Sequence, residues 1–530
     1  MPLSRHGRRQ HVPCLPFSSS LPLPLPKLVP LLVFVLAGAV TVLYRLLRPW
    51  PSLDAELGQD VEGGDRESRM LDLPAFEDVI RYERALPQHQ RQRVESESGH
   101  EKGKQQNRYL YFAGEASETG WNNVLQEQLL NTHLAYLANR AYVFRPHIAR
   151  AHPPFPDTLP NGTRHMLKIP MNAFVAGPTG GGDWGPGAND APRAISKEWW
   201  DDVCQEGEVL DLSAPVVNAE LGLSGADSET TGQDRIVSWA RKLREVDAEC
   251  VRVVDGAPFD FLFLTTDQVP TIWPSYGDSP TLTEFAWSPL ITRAVARNFA
   301  LLSPQPVPPA LLPLGYLTSL SPSSPLQADD TASSPRRFDA YIPLRIDAAP
   351  IRGLLALHVR RGDYATHCPR LAQWKQPYNA WNLFGQLDFR ASGLFPPLPD
   401  RFDVPEGLSY EEAMQLHCFP DVDTIVEKVR NVVNSYRWQH KITSVYVSTD
   451  GTPSWVETLV ARLRGAGFER VTTTLDLQTS RDEKAVGQAV DMAISTAAQV
   501  FIGNGWSSLT SNVVQFRLAG GREPHSIRFW

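Results

Sequence analysis

Four apolar residues, Leu354 to Leu357, run into His358, then into the adjacent cations Arg360 and Arg361, then into Gly362 and Asp363. Two neighbouring guanidinium groups suit a diphosphate, because each stays charged and offers a planar fork of donors to phosphate oxygens. The plainer alternative is a surface ion pair between Arg361 and Asp363. A second cluster, Gly503-Asn-Gly-Trp-Ser-Ser508, lies between an apolar run and a helical pattern. A turn that feeds a helix offers unpaired backbone N–H groups and the positive end of the helix dipole, and the hydroxyls of Ser507 and Ser508 add donors for an anion. Simple N-capping by either serine is the competing reading. A third cluster, Gly120-Trp-Asn-Asn123, follows YLYFA and a turn-like GEASET. Ligands of open α/β sheets sit at the carboxyl ends of strands, where all three clusters fall.

The elements needed to position these clusters are legible in the periodicity. YLYFA from Tyr109 reads as a buried strand, residues 124–139 as a helix with apolar spacings of three and four, and AYVF as a second strand. This β-loop-α-β unit is of the kind that builds parallel sheets. Residues 176–192 hold nine Gly and Pro in seventeen and form a loop; FDFLFLTT (259–266) reads as another strand, and SPLITRAVARNFALL as a helix. Ser303 to Arg337 then carries eight prolines and seven serines, a composition that cannot bury a core. Beyond it the alternation resumes. LLALHV, SVYVST and QVFIGN read as strands; residues 421–436, WVETLVARLRGAG, AVGQAVDMAISTA and SSLTSNVVQFRLAGG read as helices. The expected organisation is an N-terminal Rossmann-like domain at 108–302, a linker or inserted loop at 303–340, and a C-terminal Rossmann-like domain at 341–530.

Charge and cysteine content bound the setting. The first 50 residues carry six basic and no acidic side chains, so of the net −8 the remainder holds −14. An acidic body argues against a general nucleic-acid binder, which would show a basic stripe. Leu28 to Tyr44 is uncharged, enough for a short bilayer-spanning helix. The expected layout is a cytoplasmic tail at 1–27, a signal anchor in the lipid bilayer at 28–47 and a polar stem at 48–107, with the body translocated. Cys204, Cys250, Cys368 and Cys418 allow two disulfides in any of three pairings, as suits an oxidising lumen, and none shows zinc-site spacing. Asn161-Gly-Thr163 is a glycosylation sequon on the same side.

Taken in order and spacing, HVRRGD at 358–363, STD at Ser448 to Asp450, and Asp491 followed by VFIGNGWSS resemble the inverting GDP-fucose-dependent fucosyltransferases, that is, protein O-fucosyltransferases and the related α-1,6 enzymes. Gly120 to Asn123 resembles their N-terminal glycine-asparagine loop. The resemblance implies a GT-B fold, two Rossmann-like domains facing a cleft. It also implies transfer of L-fucose from GDP-fucose, with inversion and without a metal, to a protein Ser/Thr or glycan hydroxyl. A Golgi or endoplasmic reticulum membrane protein of type II topology follows. Carried over, Arg360 neutralises the β-phosphate as the sugar–phosphate bond breaks. His358 and Asp491 recognise guanine, Ser507 and Ser508 donate to the phosphates, and Asn122 or Asn123 sits near the donor phosphate or acceptor. Arg361 and Asp363 orient the loop, and Asp450 borders the nucleotide pocket. One branch of the family has a base glutamate directly before the loop glycine; Thr119 stands there in this chain, with Glu118 one step earlier as the candidate base and Glu115 beyond. The α-1,6 branch has a glutamate after its arginine pair, where this chain has His367 and Cys368.

Two other readings stay open: a catalytically inactive relative that binds glycans or proteins, and a GT-B enzyme using a different nucleotide sugar. Asp421-Val-Asp423 has the spacing of a metal-binding DxD, but it opens an amphipathic helix, where capping is the stronger reading. Gly465-Ala-Gly467 follows a helix and reads as its C-cap.

Overall fold

The computed structural model describes residues 73–89, 108–312 and 341–530, with short interruptions at 118, 151–154, 156–157, 160–161, 189–190, 224–229, 386–395, 397, 401, 436 and 439–440. The expected anchor at 28–47, Asn161 of the sequon, Glu118 and most of the Pro/Ser-rich segment lie outside the described residues. Among the described residues no helix is long and apolar enough to cross a membrane.

Helix α1 (Glu77–Arg84) lies within the stretch expected as stem, yet it is folded onto the body. Leu73, Phe76, Val79 and Leu86 are buried in the main core, and Glu83 accepts from the Asn172 amide at 2.9 Å. The physical reason is the apolar spacing around Val79: each such side chain contributes roughly 1.5–3 kcal/mol when a core is within reach.

The first sheet is built from β1 (Tyr109–Phe112) and β2 (Ala141–Phe144), and, after a hairpin of β3 (His147–Arg150) and β4 (Met166–Ile169), from β5 (Ile195–Ser196), β6 (Val209–Ser213) and β7 (Cys250–Val254). Its five strands are parallel in the order β5-β2-β1-β7-β6. Helix α2 (Trp121–Leu137) crosses from β1 to β2 and is buried on nearly every face, polar Asn131, Thr132 and His133 included. The run FDFLFLTT is not a strand. CVRVV, with its β-branched residues, takes that place in the sheet, and Asp260 Oδ1 then accepts from the Phe263 amide at 3.0 Å, turning the chain away. Helices α3 (Gly232–Glu245) and α4 (Pro289–Leu302) complete this half.

An antiparallel pair, β8 (Ala286–Trp287) and β9 (Leu344–Arg345), brackets the Pro/Ser-rich segment. The second sheet comprises β10 (Ile351–Val359), β11 (Ser444–Thr449), β12 (Arg470–Thr473), β13 (Ala498–Gly503) and β14 (Ile527–Phe529), parallel in the order β12-β11-β10-β13-β14. Central β10 is buried on both faces, which is why its sequence is apolar without alternation. Its helices are α5 (Tyr364–Gln373), α6 (Tyr410–Cys418), α7 (Val422–Asn434), α8 (Pro453–Gly465), α9 (Arg481–Ala485), α10 (Gly487–Ala497) and α11 (Ser508–Ala519). Counted along each half, the strand order is 3-2-1-5-4 in the first sheet and 3-2-1-4-5 in the second. Both orders reverse at the central strand, where ligand crevices form.

Residues 71–530 form one compact unit. Aromatic contacts join the halves: Phe285 stacks on Phe516 at 4.1 Å and Trp273 meets Trp381 edge-on at 5.4 Å. Each half is also tied by a buried arginine that donates only to main-chain or hydroxyl oxygens. Arg140 reaches the carbonyls of Leu243 (3.0 Å) and Ala248 (2.9 Å), and Arg517 those of Ser495 (3.0 Å) and Ala498 (2.6 Å). Burial lowers Arg140 to about 10 and Arg517 to about 9, so both stay charged at neutral pH. Two disulfides resolve the pairing, Cys204–Cys250 at the start of β7 and Cys368–Cys418 between α5 and α6.

Candidate functional site

The carboxyl end of β10 supplies His358, Arg360 and Arg361. His358 is buried; its Nδ1 lies 2.8 Å from Thr510 Oγ1 and its carbonyl accepts from Trp530 Nε1 at 3.0 Å. Desolvation, with Arg360 adding to it, lowers its pKa to about 3, so the ring is neutral. Arg360 is held over the Tyr364 ring at 4.6 Å, paired with Asp363 at 2.5 Å and Asp450 at 3.3 Å. Its Nε is buried without a partner. An aromatic face and two carboxylates aim this guanidinium, and one of its donors stays unused.

Arg361 does something else. It is buried between the rings of Phe419 (4.2 Å) and Trp455 (4.3 Å), donates to the Pro420 carbonyl, and its own amide donates to Asp450 Oδ1 at 2.6 Å. Its Nε, like that of Arg360, has no partner, and Asp363 pairs with Arg360 instead; Arg361 fixes the loop. Asp363 is exposed at the start of α5, bonded to Arg360. Asp450 thus braces both arginines.

Beside them, β13 turns into α11. Gly505 lies against Tyr378, and a Cβ there would meet the ring at 2.4 Å. Asn504 shapes the turn, donating to the Cys418 carbonyl at 2.7 Å and accepting from the Trp506 amide at 3.0 Å. The first intrahelical bond of α11 runs from the Ser511 amide to the Ser507 carbonyl at 3.0 Å, so the amides of Ser508, Leu509 and Thr510 precede it. Ser507 is the N-cap residue but its side chain makes no capping bond; it instead interacts with Tyr364. The capping alternative for Ser507 is therefore not the geometry found.

Asp491 on α10 is buried and accepts from Tyr446 OH (2.5 Å), Ser448 Oγ (3.0 Å) and Thr474 Oγ1 (3.1 Å to each oxygen). Desolvation outweighs these bonds and raises its pKa to about 6. A carboxylate has about four acceptor sites, so room remains for a further donor. Ser448 is the register partner of His358, which places this acid beside the β10 end. Tyr446 and Thr474 were missed in the sequence. Tyr446 stands two residues before Ser448 on the same strand, hence on its face, a signal that could have found it.

From the first half, Asn122 reaches this assembly. Its Nδ2 donates to Gln488 Oε1 at 3.0 Å, and its carbonyl accepts from Asn512 Nδ2 at 2.9 Å. Gln488 sits on the same helix as Asp491 and was not singled out in the sequence. Asn123 is half-buried, its amide bonded to the Gly120 carbonyl at 2.9 Å. Glu115, which precedes them, faces inward: Tyr142 OH donates to both its oxygens (2.8 and 3.0 Å) and Asn131 Nδ2 to one at 2.9 Å. Glu127 anchors the adjacent Ala116 amide at 3.0 Å. Burial raises both carboxyls, and the charge of Glu115 raises Glu127 further.

The DxD side chains are engaged elsewhere. Asp421 caps α7 through the Thr424 amide at 2.8 Å, and Asp423 pairs with Arg462. Gly467 ends α8 at φ 101°, as expected of a C-cap.

Residues 339–519 match the family described as GDP-fucose protein O-fucosyltransferase. That span contains every site residue assigned to the second sheet. Similar solved structures include POFUT1 in complex with GDP-fucose (14% identity, TM-score 0.45, covering 80% of this chain and 98% of that one) and POFUT1 in complex with GDP (14%, 0.45, 80% and 98%). No curated protein sequence matches this chain.

Proposed function

We propose that this chain, whose residues 339–519 match the GDP-fucose protein O-fucosyltransferase family, transfers L-fucose from GDP-fucose with inversion and without a metal, in a GT-B arrangement. The acceptor is a hydroxyl of a protein or glycan, and the setting is the Golgi or endoplasmic reticulum membrane, in type II topology. The two disulfides and the uncharged stretch 28–44 support that setting.

One observation carries the reading of the site: at the strand reversal of the second sheet, Arg360, aimed by Tyr364, Asp363 and Asp450, ends the strand that pairs with β13, and β13 feeds the amides that begin α11. In the transfer, the acceptor oxygen bonds to the anomeric carbon while the bond from that carbon to the β-phosphate oxygen breaks, and GDP leaves with the electron pair. Charge builds on the phosphate as this happens. Arg360 and the amides of Ser508 to Thr510 meet it with preorganised donors that cost no reorganisation. His358, neutral and fixed by Thr510, and Asp491, ionised above about pH 6, face the guanine side. Asn122, Gln488 and Asn512 hold the first half's loop at the sugar end. Glu118 is the candidate to take the acceptor proton.

Calorimetric titration of the chain with GDP, UDP and GDP-fucose in chelator tests this. The expected result is metal-independent binding of GDP over UDP, weakened in Asp491→Ala. A folded chain that binds neither nucleotide sinks the proposal; preference for UDP redirects it to another donor.

A further inference from the structure

A cavity of about 280 Å³ lies between the Gly120–Trp121 turn, the β3–β4 hairpin and the α9–α10 junction. Trp121 and Phe174, stacked on each other at 4.2 Å and 15°, both line it. Leu167 and Ile169 add aliphatic wall, and Lys484, Gln488 and His147 bring polar groups. Gln488 is also the partner of Asn122, so the cavity shares a wall with the site described above.

His147 supplies a second, independent observation. It is 7% exposed, its ring meets Phe174 edge-on at 6.2 Å, and its Nδ1 is buried without a hydrogen-bond partner. A buried polar atom left unsatisfied costs about 1–3 kcal/mol, which marks His147 as a polar wall residue that the protein itself does not satisfy. Burial lowers this histidine to about 4, so at neutral pH it is uncharged, one ring nitrogen donating and the other accepting.

We propose that this cavity is the acceptor site, and that it takes one neutral hexopyranose ring of a glycan. The inference rests on the fucosyltransferase reading above. Three features select the class. The volume is near the lower end of the roughly 300–1,000 Å³ usual for small-ligand pockets, and it suits a ring better than a chain. Aromatic and aliphatic walls match the C–H faces of a pyranose, while His147, Gln488 and Lys484 match its hydroxyls. None of the described lining residues is acidic. A serine- or threonine-bearing peptide would instead bring a backbone N–H and C=O at every residue, each needing a partner, and these apolar walls do not supply them.

The test uses the full chain with GDP bound, probed by saturation-transfer NMR with methyl glycosides of glucose, galactose, mannose and N-acetylglucosamine, and with a threonine peptide. GDP release from GDP-fucose is followed in parallel. Ala149→Trp fills the cavity from β3, and His147→Asn keeps a polar group but changes its reach. At least one glycoside is expected to bind wild type and to speed GDP release tenfold or more. Ala149→Trp should abolish both effects and His147→Asn should weaken them, with GDP affinity changed less than about twofold. The proposal is overturned if wild type binds no glycoside, whether or not it binds GDP. Glycoside binding that survives in Ala149→Trp, or GDP release driven by the peptide alone, also overturns it. Glycoside binding without GDP binding would defeat the donor assignment and leave the cavity assignment standing.

Discussion

At the strand reversal of the first sheet, between β1 and β7, the loops touch: a Cβ on Gly114 would lie 2.3 Å from the Gly256 carbonyl oxygen, and Gly256 itself has φ 132°. The acids there face inward, Glu115 held by Tyr142 and Asn131 and Glu127 Oε2 by the Ala116 amide, with Glu127 Oε1 buried and unpartnered. At the matching reversal of the second sheet, between β10 and β13, Arg360 keeps an unpartnered nitrogen and α11 begins with open amides. Parallel topology alone therefore does not make a binding site. It makes a place for one, and the site exists where the loops stay apart and carry cations instead of inward-facing acids.

Removing the Arg360 guanidinium should break this contrast most completely. Arg360→Ala is expected to reduce GDP release from GDP-fucose by at least about a hundredfold, in the range found for losing one preorganised oxyanion donor, with circular dichroism unchanged. Arg360→Lys should recover little, because a point charge cannot reproduce the fork. Near-normal turnover in folded Arg360→Ala would remove the distinction between the two reversals.

The two disulfides sharpen it. They close segments of similar separation, 46 and 50 residues, so chain entropy predicts that each contributes about 4 kcal/mol. Denaturant titration of Cys204→Ala/Cys250→Ala and Cys368→Ala/Cys418→Ala should show comparable losses. GDP affinity should fall only in the second pair, whose Cys418 carbonyl holds Asn504 and whose neighbour Pro420 holds Arg361. Equal GDP affinities would show that the loops hold themselves.

Asp491 gives a smaller, pH-dependent effect. Its raised pKa means that the folded chain takes up this proton more readily than the unfolded one. The group therefore favours folding below the ordinary carboxylate range, and that contribution is lost as pH rises through about 6. GDP binding runs the other way, since guanine donors need the ionised form. Affinity measured calorimetrically should be flat above pH 7 and fall up to tenfold per unit below about 6, and Asp491→Asn should flatten the profile. The smallest effect is expected from Gln488→Ala, which frees Asn122 on one side only: a several-fold lower turnover with unchanged GDP affinity. A drop in GDP affinity would place Gln488 in the nucleotide pocket instead.

Much of this contrast was readable in the sequence on one side only. HVRRGD and GNGWSS are local signals, contiguous residues at strand ends, and they lead directly to Arg360, His358, Ser507 and Ser508. Asp491 was reachable by resemblance and its donor Tyr446 by strand alternation from Ser448, but Thr474 comes from the turn after β12, which no local pattern joins to them. Composition suggested a stem over residues that in fact carry α1, because an isolated apolar patch does not say which core it meets. FDFLFLTT read as a strand since hydrophobicity alone cannot register Asp260 as a turn former. Nor could spacing choose among three disulfide pairings, or reveal that Glu115 turns inward.

The Cys368–Cys418 bond lies beneath all of this. Both cysteines are fully buried, and the cross-link connects the helix that starts at Tyr364 with the segment that holds Arg361 and Asn504. For anyone preparing this protein, the practical meaning is that oxidation state becomes a hidden variable of every nucleotide measurement. Material made in a reducing host, or assayed in thiol buffer after partial unfolding, is chemically a different reagent although its sequence and mass hardly differ. A count of free thiols belongs beside each binding constant.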